Sequence, residues 1–158
     1  MSEKTVYLDS SAIIKRYIKE ENSEKIVGLY TRAYQGEIKL AFSLWNIGEV
    51  LGVLDRAKRI KRINEEAHEL VRARFLSEVL RMKRLGILKI IPIYGSILTN
   101  CWGLLEKCHI YQADAIQIES AKRVKASEFY TADKKITSDS TFRKFEFISG
   151  LVMHVFET

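Results

Sequence analysis

Four acidic residues of this 158-residue chain stand within apolar segments, whereas most of its other acids lie in polar stretches. They are Asp9, Glu49, Asp114 and Asp133. An ionised carboxylate in an apolar setting costs several kcal/mol unless something compensates its charge. No Lys or Arg stands near any of the four in an equally apolar stretch of sequence. The pattern therefore predicts that these carboxylates share a function.

Clustered carboxylates without basic neighbours are suited to hard divalent cations. Mg²⁺ and Mn²⁺ prefer oxygen ligands in octahedral geometry and keep several waters. One or two such ions can hold a phosphodiester, lower the pKa of an attacking water and stabilise the leaving oxygen. The acids thus indicate a metal site for phosphodiester hydrolysis, which needs no His, Cys or Lys nucleophile. Asp139 is a further candidate carboxylate, although a solvated loop acid is the preferred interpretation.

Three of these acids also have an ordinary structural explanation. Asp114 could be a charge favoured by the dipole at a helix N-terminus. Asp9 and Asp133 could be strand-end caps or turn formers. Glu49 is the hardest to explain in this way, because its predicted helix is otherwise nearly all apolar from Trp45 to Leu54. A common site explains all four residues together.

Strands and helices alternate along the chain. Predicted strands lie at about residues 6–8, 38–42, 87–91 and 128–132, and either of two tail segments, 145–148 and 151–156, could be another. A first short helix is predicted with Ser11 as its N-cap, and longer helices are predicted over about residues 22–34, 43–58, 64–85, 96–108 and 113–125. The helix over 64–85 ends at Gly86. Its apolar stripe consists of Ala67, Leu70, Val71, Phe75, Val79 and Met82.

This alternation positions the four acids. Short, continuously apolar strands between helices are typical of a parallel sheet covered on both faces, that is, of the α/β class. Ligands of such sheets bind beyond the carboxyl ends of the strands. Asp9 and Asp133 follow predicted strands, Asp114 begins a predicted helix, and Glu49 lies in the second turn of another. All four are therefore expected to converge above one edge of the sheet.

Composition and length indicate a single globular domain over residues 1–158. Apolar residues make up 47% and charged residues 29%, as in an average globular protein. No segment approaches the ~20 apolar residues of a membrane span, and residues 1–5 lack the apolar core of a secretory signal, so a cytoplasmic protein without a membrane partner is expected. Cys101 and Cys108 would lie ~10 Å apart along a helix, too far for a disulfide, and are expected to be core thiols.

Short motifs around the four acids resemble those of the PIN-domain nucleases. The matching segments are Val-Tyr-Leu-Asp-Ser-Ser-Ala at 6–12, Ser43 with Glu49 six residues later, Ala113–Ile116, and Tyr130–Asp133. The first resembles the family's opening strand, which ends in Asp followed by Ser or Thr, and the others resemble its second, third and fourth acidic motifs. Each motif is weak alone, whereas their order and spacing over about residues 5–135 are specific.

The resemblance implies a fold, an activity and partners. The implied fold is a three-layer α/β/α sandwich with a central, mainly parallel sheet. The chain's size is similar to that of the VapC-like toxins of this family, which implies an endoribonuclease that uses Mg²⁺ (or Mn²⁺), acts on RNA, is held inactive by a small antitoxin protein and forms a homodimer. The implied catalytic and metal-binding residues are Asp9, Glu49, Asp114 and Asp133.

Two hydroxyl residues would assist these acids by orienting a carboxylate or a metal-bound water. By the same resemblance they are Ser11 and Thr131. Each has an equally supported structural alternative, because Ser11 could be a helix N-cap and Thr131 an ordinary strand residue.

Most of the chain's net charge of +6 lies in residues 55–84, where ten Lys and Arg stand against five Asp and Glu, a balance of +5. The densest part holds Arg56, Lys58, Arg59, Lys61 and Arg62. These side chains could follow an RNA backbone. A solvated helix face with ion pairs and a docking surface for an acidic antitoxin are alternatives that the sequence does not separate.

A non-catalytic RNA- or protein-binding module on the same scaffold is the main alternative function. The complete set of four acids argues against it, since a degenerate site usually lacks one. An aspartyl-phosphate phosphatase is disfavoured, because Ser11 stands where such enzymes carry a second Asp. No G-x-G-x-x-G or G-x-x-x-x-G-K-S/T motif supports nucleotide binding.

Overall fold

The computed structural model describes residues 3–132 and 151–156. The strands within these ranges are β1 (Thr5–Leu8), β2 (Lys39–Ser43), β3 (Leu88–Ile91), β4 (Glu128–Thr131) and β5 (Val152–Val155). The helices are α1 (Ser10–Ile14), α2 (Ser23–Tyr34), α3 (Leu44–Arg59), α4 (Glu65–Arg84), α5 (Gly95–Cys108) and α6 (Gln112–Arg123). None of these helices is long and apolar enough to cross a membrane.

The strands form one sheet in the order β3-β2-β1-β4-β5, and each neighbouring pair is parallel. Every residue of β1 and four of the five residues of β2 are buried, so both faces of the sheet are covered. The predicted α/β fold with a central parallel sheet is therefore confirmed. The predicted tail strand at 151–156 is present as β5, whereas the one at 145–148 lies outside the described residues.

The chain reverses its direction of growth across the sheet at β1. From β1 it proceeds to β2 and β3 on one side, and it then returns to add β4 and β5 on the other. Connections from the carboxyl ends of β1 and β4 consequently leave in opposite directions, which opens a crevice between them. Asp9 follows the end of β1, and Thr131 is the last residue of β4.

Local hydrogen bonds explain where the helices begin and end. Ser43 caps α3 as predicted, in a reciprocal capping box with Asn46. Gly86 follows α4 with φ of 72°, a left-handed conformation that glycine adopts at little cost. The predicted N-cap of α1 was wrong, because the Asp9 side chain, rather than that of Ser11, accepts from the backbone N–H of Ala12.

The core joins the sheet to its helices. Tyr7 and Phe129 are register partners on β1 and β4, and their rings stack with centroids 5.2 Å apart.

Cys101 and Cys108 are buried free thiols, as predicted, and burial raises the pKa of Cys101 to about 11. The apolar stripe of α4 was only partly correct, since Leu70 is 70% exposed.

Candidate active site

A cleft of about 620 Å³ opens at the carboxyl ends of the central strands. Three of the predicted acids line it, namely Asp9, Glu49 and Asp114. They come from the end of β1, from α3 and from α6, so the fold brings together residues more than 100 positions apart. Asp133, predicted as the fourth acid, and the peripheral candidate Asp139 lie outside the described residues.

Asp9 both caps helix α1 and lines the cleft. Its side chain is 3% exposed and caps α1, with Oδ1 accepting from the backbone N–H of Ala12 at 2.9 Å. The same oxygen accepts from the hydroxyl of Ser11 at 2.6 Å, and Oδ2 accepts from the hydroxyl of Thr131. Hydrogen bonds to both carboxylate oxygens fix the orientation of the Asp9 side chain.

The hydroxyl groups of Ser11 and Thr131 both donate to Asp9, one from the start of α1 and the other from the end of β4. Their hydroxyl oxygens lie 3.4 Å apart, and the Ser11 hydroxyl also accepts from the backbone N–H of Ala132 at 2.8 Å. Thr131 is completely buried. Ser11 therefore links the start of α1 to the residue after β4, instead of capping its own helix.

Glu49 lies in the second turn of α3, as predicted, and it is half-buried on the cleft wall. Its Oε1 atom accepts from the hydroxyl of Ser10 at 2.6 Å and from the side-chain amide of Gln117 at 3.0 Å. A third polar side chain, Asn46, donates to both of these donors. Glu49 is thus held by side chains from α1 and α6.

Asp114 lies in the first turn of α6, also as predicted, where the helix dipole favours a negative charge. It is half-buried and lines the same cleft as Asp9 and Glu49. Gln117 follows three residues later on the same helix face and lines the cleft as well.

Two basic residues also line the cleft, contrary to the expectation that none shares the acids' surroundings. Lys15 is 4% exposed, and its Nζ donates to Glu20 Oε2 at 3.2 Å and to the Glu21 carbonyl at 2.9 Å. Arg56 is exposed on α3, two turns beyond Glu49. Lys15 directly follows α1 and Arg56 lies on the helix of Glu49, so each is near a cleft acid in sequence although it lies outside that acid's apolar run.

The predicted basic segment divides into parts. Arg56 is its one member among the cleft-lining residues of the described chain. Arg59 pairs with Asp55 at 2.9 Å, and the Lys58 ammonium lies 3.8 Å from Glu65. Lys61 and Arg62 are both exposed in the turn after α3.

The cleft fits a hard divalent cation in chemical type, since its acidic and hydroxyl side chains offer oxygen ligands and no Cys or His among the described residues lines it. In the described part of the chain, no three His, Cys, Asp or Glu side chains lie close enough together to hold one ion. Mg²⁺ is usually held by one or two carboxylates, with waters and substrate phosphates as its other ligands. The arrangement therefore suits an open metal site and not a closed cage.

A second, apolar groove of about 450 Å³ adjoins the cleft at Glu49. Its other lining residues are Leu44, Trp45, Gly48 and Ile93. Leu44 is 51% exposed and Trp45 is 42% exposed, although both begin a helix that packs on the core. The groove and the cleft share the Glu49 side chain.

Sequence reasoning missed Ser10, Asn46 and Gln117. Asn46 and Gln117 are buried amides that interrupt apolar runs, as the four acids do. A buried amide is costly without hydrogen bonds, so this position within an apolar run was the signal that could have identified them.

Comparisons with known proteins agree with this fold. The family model described as the PIN domain matches residues 6–147. No curated protein matches the chain. Among solved structures, VapBC2 from Rickettsia felis bound to a DNA fragment from its promoter gives a TM-score of 0.62 at 17% identity, covering 97% of this chain and 99% of the matched chain.

Two further solved structures are similar. Mycobacterium tuberculosis VapC20, a toxin that cleaves the sarcin-ricin loop, gives a TM-score of 0.58 at 13% identity, covering 84% of this chain and 93% of its own. A toxin-antitoxin complex from Klebsiella pneumoniae gives 0.55 at 19% identity, covering 85% and 91%. At these identities the likeness establishes a shared fold.

Proposed function

The chain belongs to the PIN domain family, and we propose that it is a metal-dependent endoribonuclease. The observation that carries the proposal is the convergence of Asp9, Glu49 and Asp114 on one cleft at the carboxyl ends of β1 and β4. Asp133 is proposed as the fourth acid. The toxins among the similar structures, one of which cleaves the sarcin-ricin loop, support an RNA substrate and a toxin role.

The acids would hold Mg²⁺ or Mn²⁺ beside the scissile phosphate. The ion would supply the chemistry of phosphodiester hydrolysis, by lowering the pKa of an attacking water and neutralising developing negative charge. Asp9 is fixed for this task by Ser11, Thr131 and the backbone of Ala12, so little reorganisation of its carboxylate is needed when the substrate arrives.

RNA would enter along the basic side of the cleft. Arg56 stands at the cleft with its guanidinium exposed, and we propose that it contacts a phosphate next to the cleaved bond. Lys58, Arg59, Lys61 and Arg62 would extend this contact along the backbone of the RNA. Arg59 would have to exchange its Asp55 partner for a phosphate, which lowers its net contribution.

A protein partner is part of the proposal. Two of the similar structures are toxin-antitoxin assemblies, which supports a small antitoxin as the regulator of this chain. The exposed apolar groove at Leu44 and Trp45 would suit an apolar segment of such a partner, and its occupant would cover Glu49. The homodimer implied by the family resemblance is proposed as the assembly of the free protein.

Cleavage of a mixed single-stranded RNA pool tests the activity. Protein stripped of metal should leave the pool intact, and adding Mg²⁺ or Mn²⁺ should produce discrete fragments that EDTA suppresses. Single-stranded DNA of the same sequences controls for sugar preference. Protein that binds RNA but never cuts it in either metal would contradict the proposal and favour the non-catalytic binding module.

A further inference from the structure

We infer that Ser10 and Gln117 are positioning residues, held in place by Asn46, that fix the Glu49 carboxylate so that its Oε2 atom serves the cleft. The inference rests on the proposed function, because it gives Glu49 its part in the proposed metal site. It concerns side chains at the cleft that act through Glu49, by orienting its carboxylate, and not by contact with the ion.

The orientation of the Asn46 amide is determined by its buried side. Asn46 is completely buried, and its Oδ1 atom accepts from the Tyr7 hydroxyl at 2.8 Å, from the Ser43 backbone N–H at 2.8 Å and from the Ser43 hydroxyl at 3.0 Å. With Oδ1 saturated by donors, Nδ2 must face the opposite way, toward the cleft.

The two hydrogens of Asn46 Nδ2 then set the direction of the next hydrogen bonds. One is donated to the Ser10 hydroxyl oxygen at 3.0 Å and the other to the side-chain oxygen of Gln117. Because the oxygen atoms of both side chains accept from Asn46, the Ser10 O–H and the Gln117 amide N–H remain to donate to another group. Each donates to Glu49.

Both donors converge on the same carboxylate oxygen. Oε1 of Glu49 accepts at 2.6 Å from Ser10 and at 3.0 Å from Gln117, whereas Oε2 accepts no hydrogen bond from the described residues. Glu49 lines the cleft. Because Ser10 and Gln117 occupy Oε1, the Oε2 atom is left to bind the ion. Side chains around a metal site commonly orient its carboxylate ligands in this way.

Core packing alone does not account for Gln117. Asn46 completes the capping box of α3 with its Oδ1 atom, but Gln117 forms no cap, and its side-chain hydrogen bonds join Asn46 to Glu49. It is 4% exposed between the buried residues Ile116 and Ile118, where an apolar side chain would cost less. The Gln117 amide is explained by its hydrogen bond to the Glu49 carboxylate.

The experiment compares Gln117→Met, Ser10→Ala and Ser10→Thr with wild type. Mn²⁺ binding to metal-free protein is measured by titration calorimetry, and kcat and KM are measured on single-stranded RNA. Asn64→Ala is the control for lost stability, because it removes the exposed N-cap of α4 and no contact of Glu49. All four variants are also melted without metal.

Gln117→Met and Ser10→Ala should each weaken Mn²⁺ binding or lower kcat about 10-fold or more, as for other residues that orient metal ligands, with KM for RNA unchanged. Ser10→Thr keeps the hydroxyl and should recover most of the loss, and Asn64→Ala should melt earlier but bind Mn²⁺ normally. Wild-type values in Gln117→Met and Ser10→Ala, beside an active wild type, would overturn this inference alone. A wild type that neither binds Mn²⁺ nor cleaves RNA would overturn the proposed function and the inference with it.

Discussion

The hydroxyl group of Thr131, the last residue of β4, donates a hydrogen bond to the carboxylate of Asp9, which follows the last residue of β1. The two residues are 122 positions apart in sequence and meet where the connections from their parallel strands diverge. The bond ties the carboxyl ends of the two strands together below the cleft. It makes the orientation of Asp9 depend on the pairing of β1 with β4.

Asp9→Asn is expected to abolish metal-dependent RNA cleavage while the fold survives. The amide removes the charge, but Asn is as good an N-cap as Asp, so α1 should keep its cap. Cleavage assays and melting curves on the same preparations check this. Glu106→Gln, which likewise removes one carboxylate charge from an exposed position, on α5, is the control and should cleave normally. A less stable Asp9→Asn protein that still cleaves would make Asp9 a purely structural cap.

Thr131→Val should both destabilise the protein and impair cleavage. The change preserves shape but leaves a buried Asp9 oxygen without one of its donors, which costs about 1–3 kcal/mol. Thr131→Ser retains the hydroxyl and should lose less in both respects. Urea unfolding and initial cleavage rates provide the two measurements. Equal stability of the valine and serine variants would argue that the hydroxyl does not matter.

Arg56→Gln should weaken RNA binding for all sequences and flatten its salt dependence. Loss of one phosphate contact lowers the slope of log K against log salt by about 0.7 for a single strand. Binding isotherms at several salt concentrations, made with the catalytically inactive Asp9→Asn protein, measure the slope. Arg84→Gln, an exposed cation at the end of α4, is the control. Identical slopes in the Arg56 and Arg84 variants would remove Arg56 from the RNA-binding surface.

Mn²⁺ should stabilise the wild-type fold by mass action. An ion that binds only the folded state at 100 times its dissociation constant adds about 2.7 kcal/mol to the free energy of unfolding. Melting curves in EDTA and then in increasing Mn²⁺ test this, with Ca²⁺ as a comparison. Asp9→Asn should show a smaller increase in Tm. Superimposable wild-type curves with and without Mn²⁺ would contradict a metal site in this cleft.

Glu78 should contribute to the acid sensitivity of the fold. Burial would raise the pKa of Glu78, but the charge of Arg16 and hydrogen bonds from Arg16, at 2.9 and 3.2 Å, and from tyrosine hydroxyls together outweigh it and hold that pKa below its ordinary value. The resulting stability is present above about pH 4.3 and is lost as the pH falls through the lowered pKa of the folded state.

The test is Tm against pH from 7 down to 3. Glu78→Gln should melt earlier than wild type at pH 7 and lose less Tm on acidification. Glu69→Gln removes one negative charge from an exposed position of the same helix and should retain the wild-type profile. Parallel profiles for wild type and Glu78→Gln would show that the Arg16 pair does not govern acid unfolding.

The sequence by itself determined the order of elements and the class of the fold. Apolar runs bounded by Ser43, Asn64 and Gly86 set the limits of α3 and α4 to within about one residue, because caps and left-handed glycines act locally. The placement of Asp9, Glu49 and Asp114 at a strand end and in early helical turns also followed from local pattern. Local patterns cannot show how far a helix extends beyond the core, so Leu70 was misassigned to a buried stripe.

Only the tertiary structure decided which side chains meet. Gln117 reaches Glu49 across 68 positions, and Ser10 does so across 39, through contacts that no sequence spacing encodes. The strand order placed β1 beside β4, which joined Thr131 to Asp9. Periodicity reports which face of an element is buried, whereas partners across the sheet are fixed by packing the whole chain at once, and hydrogen bonds among buried groups form only where that packing aligns donor with acceptor.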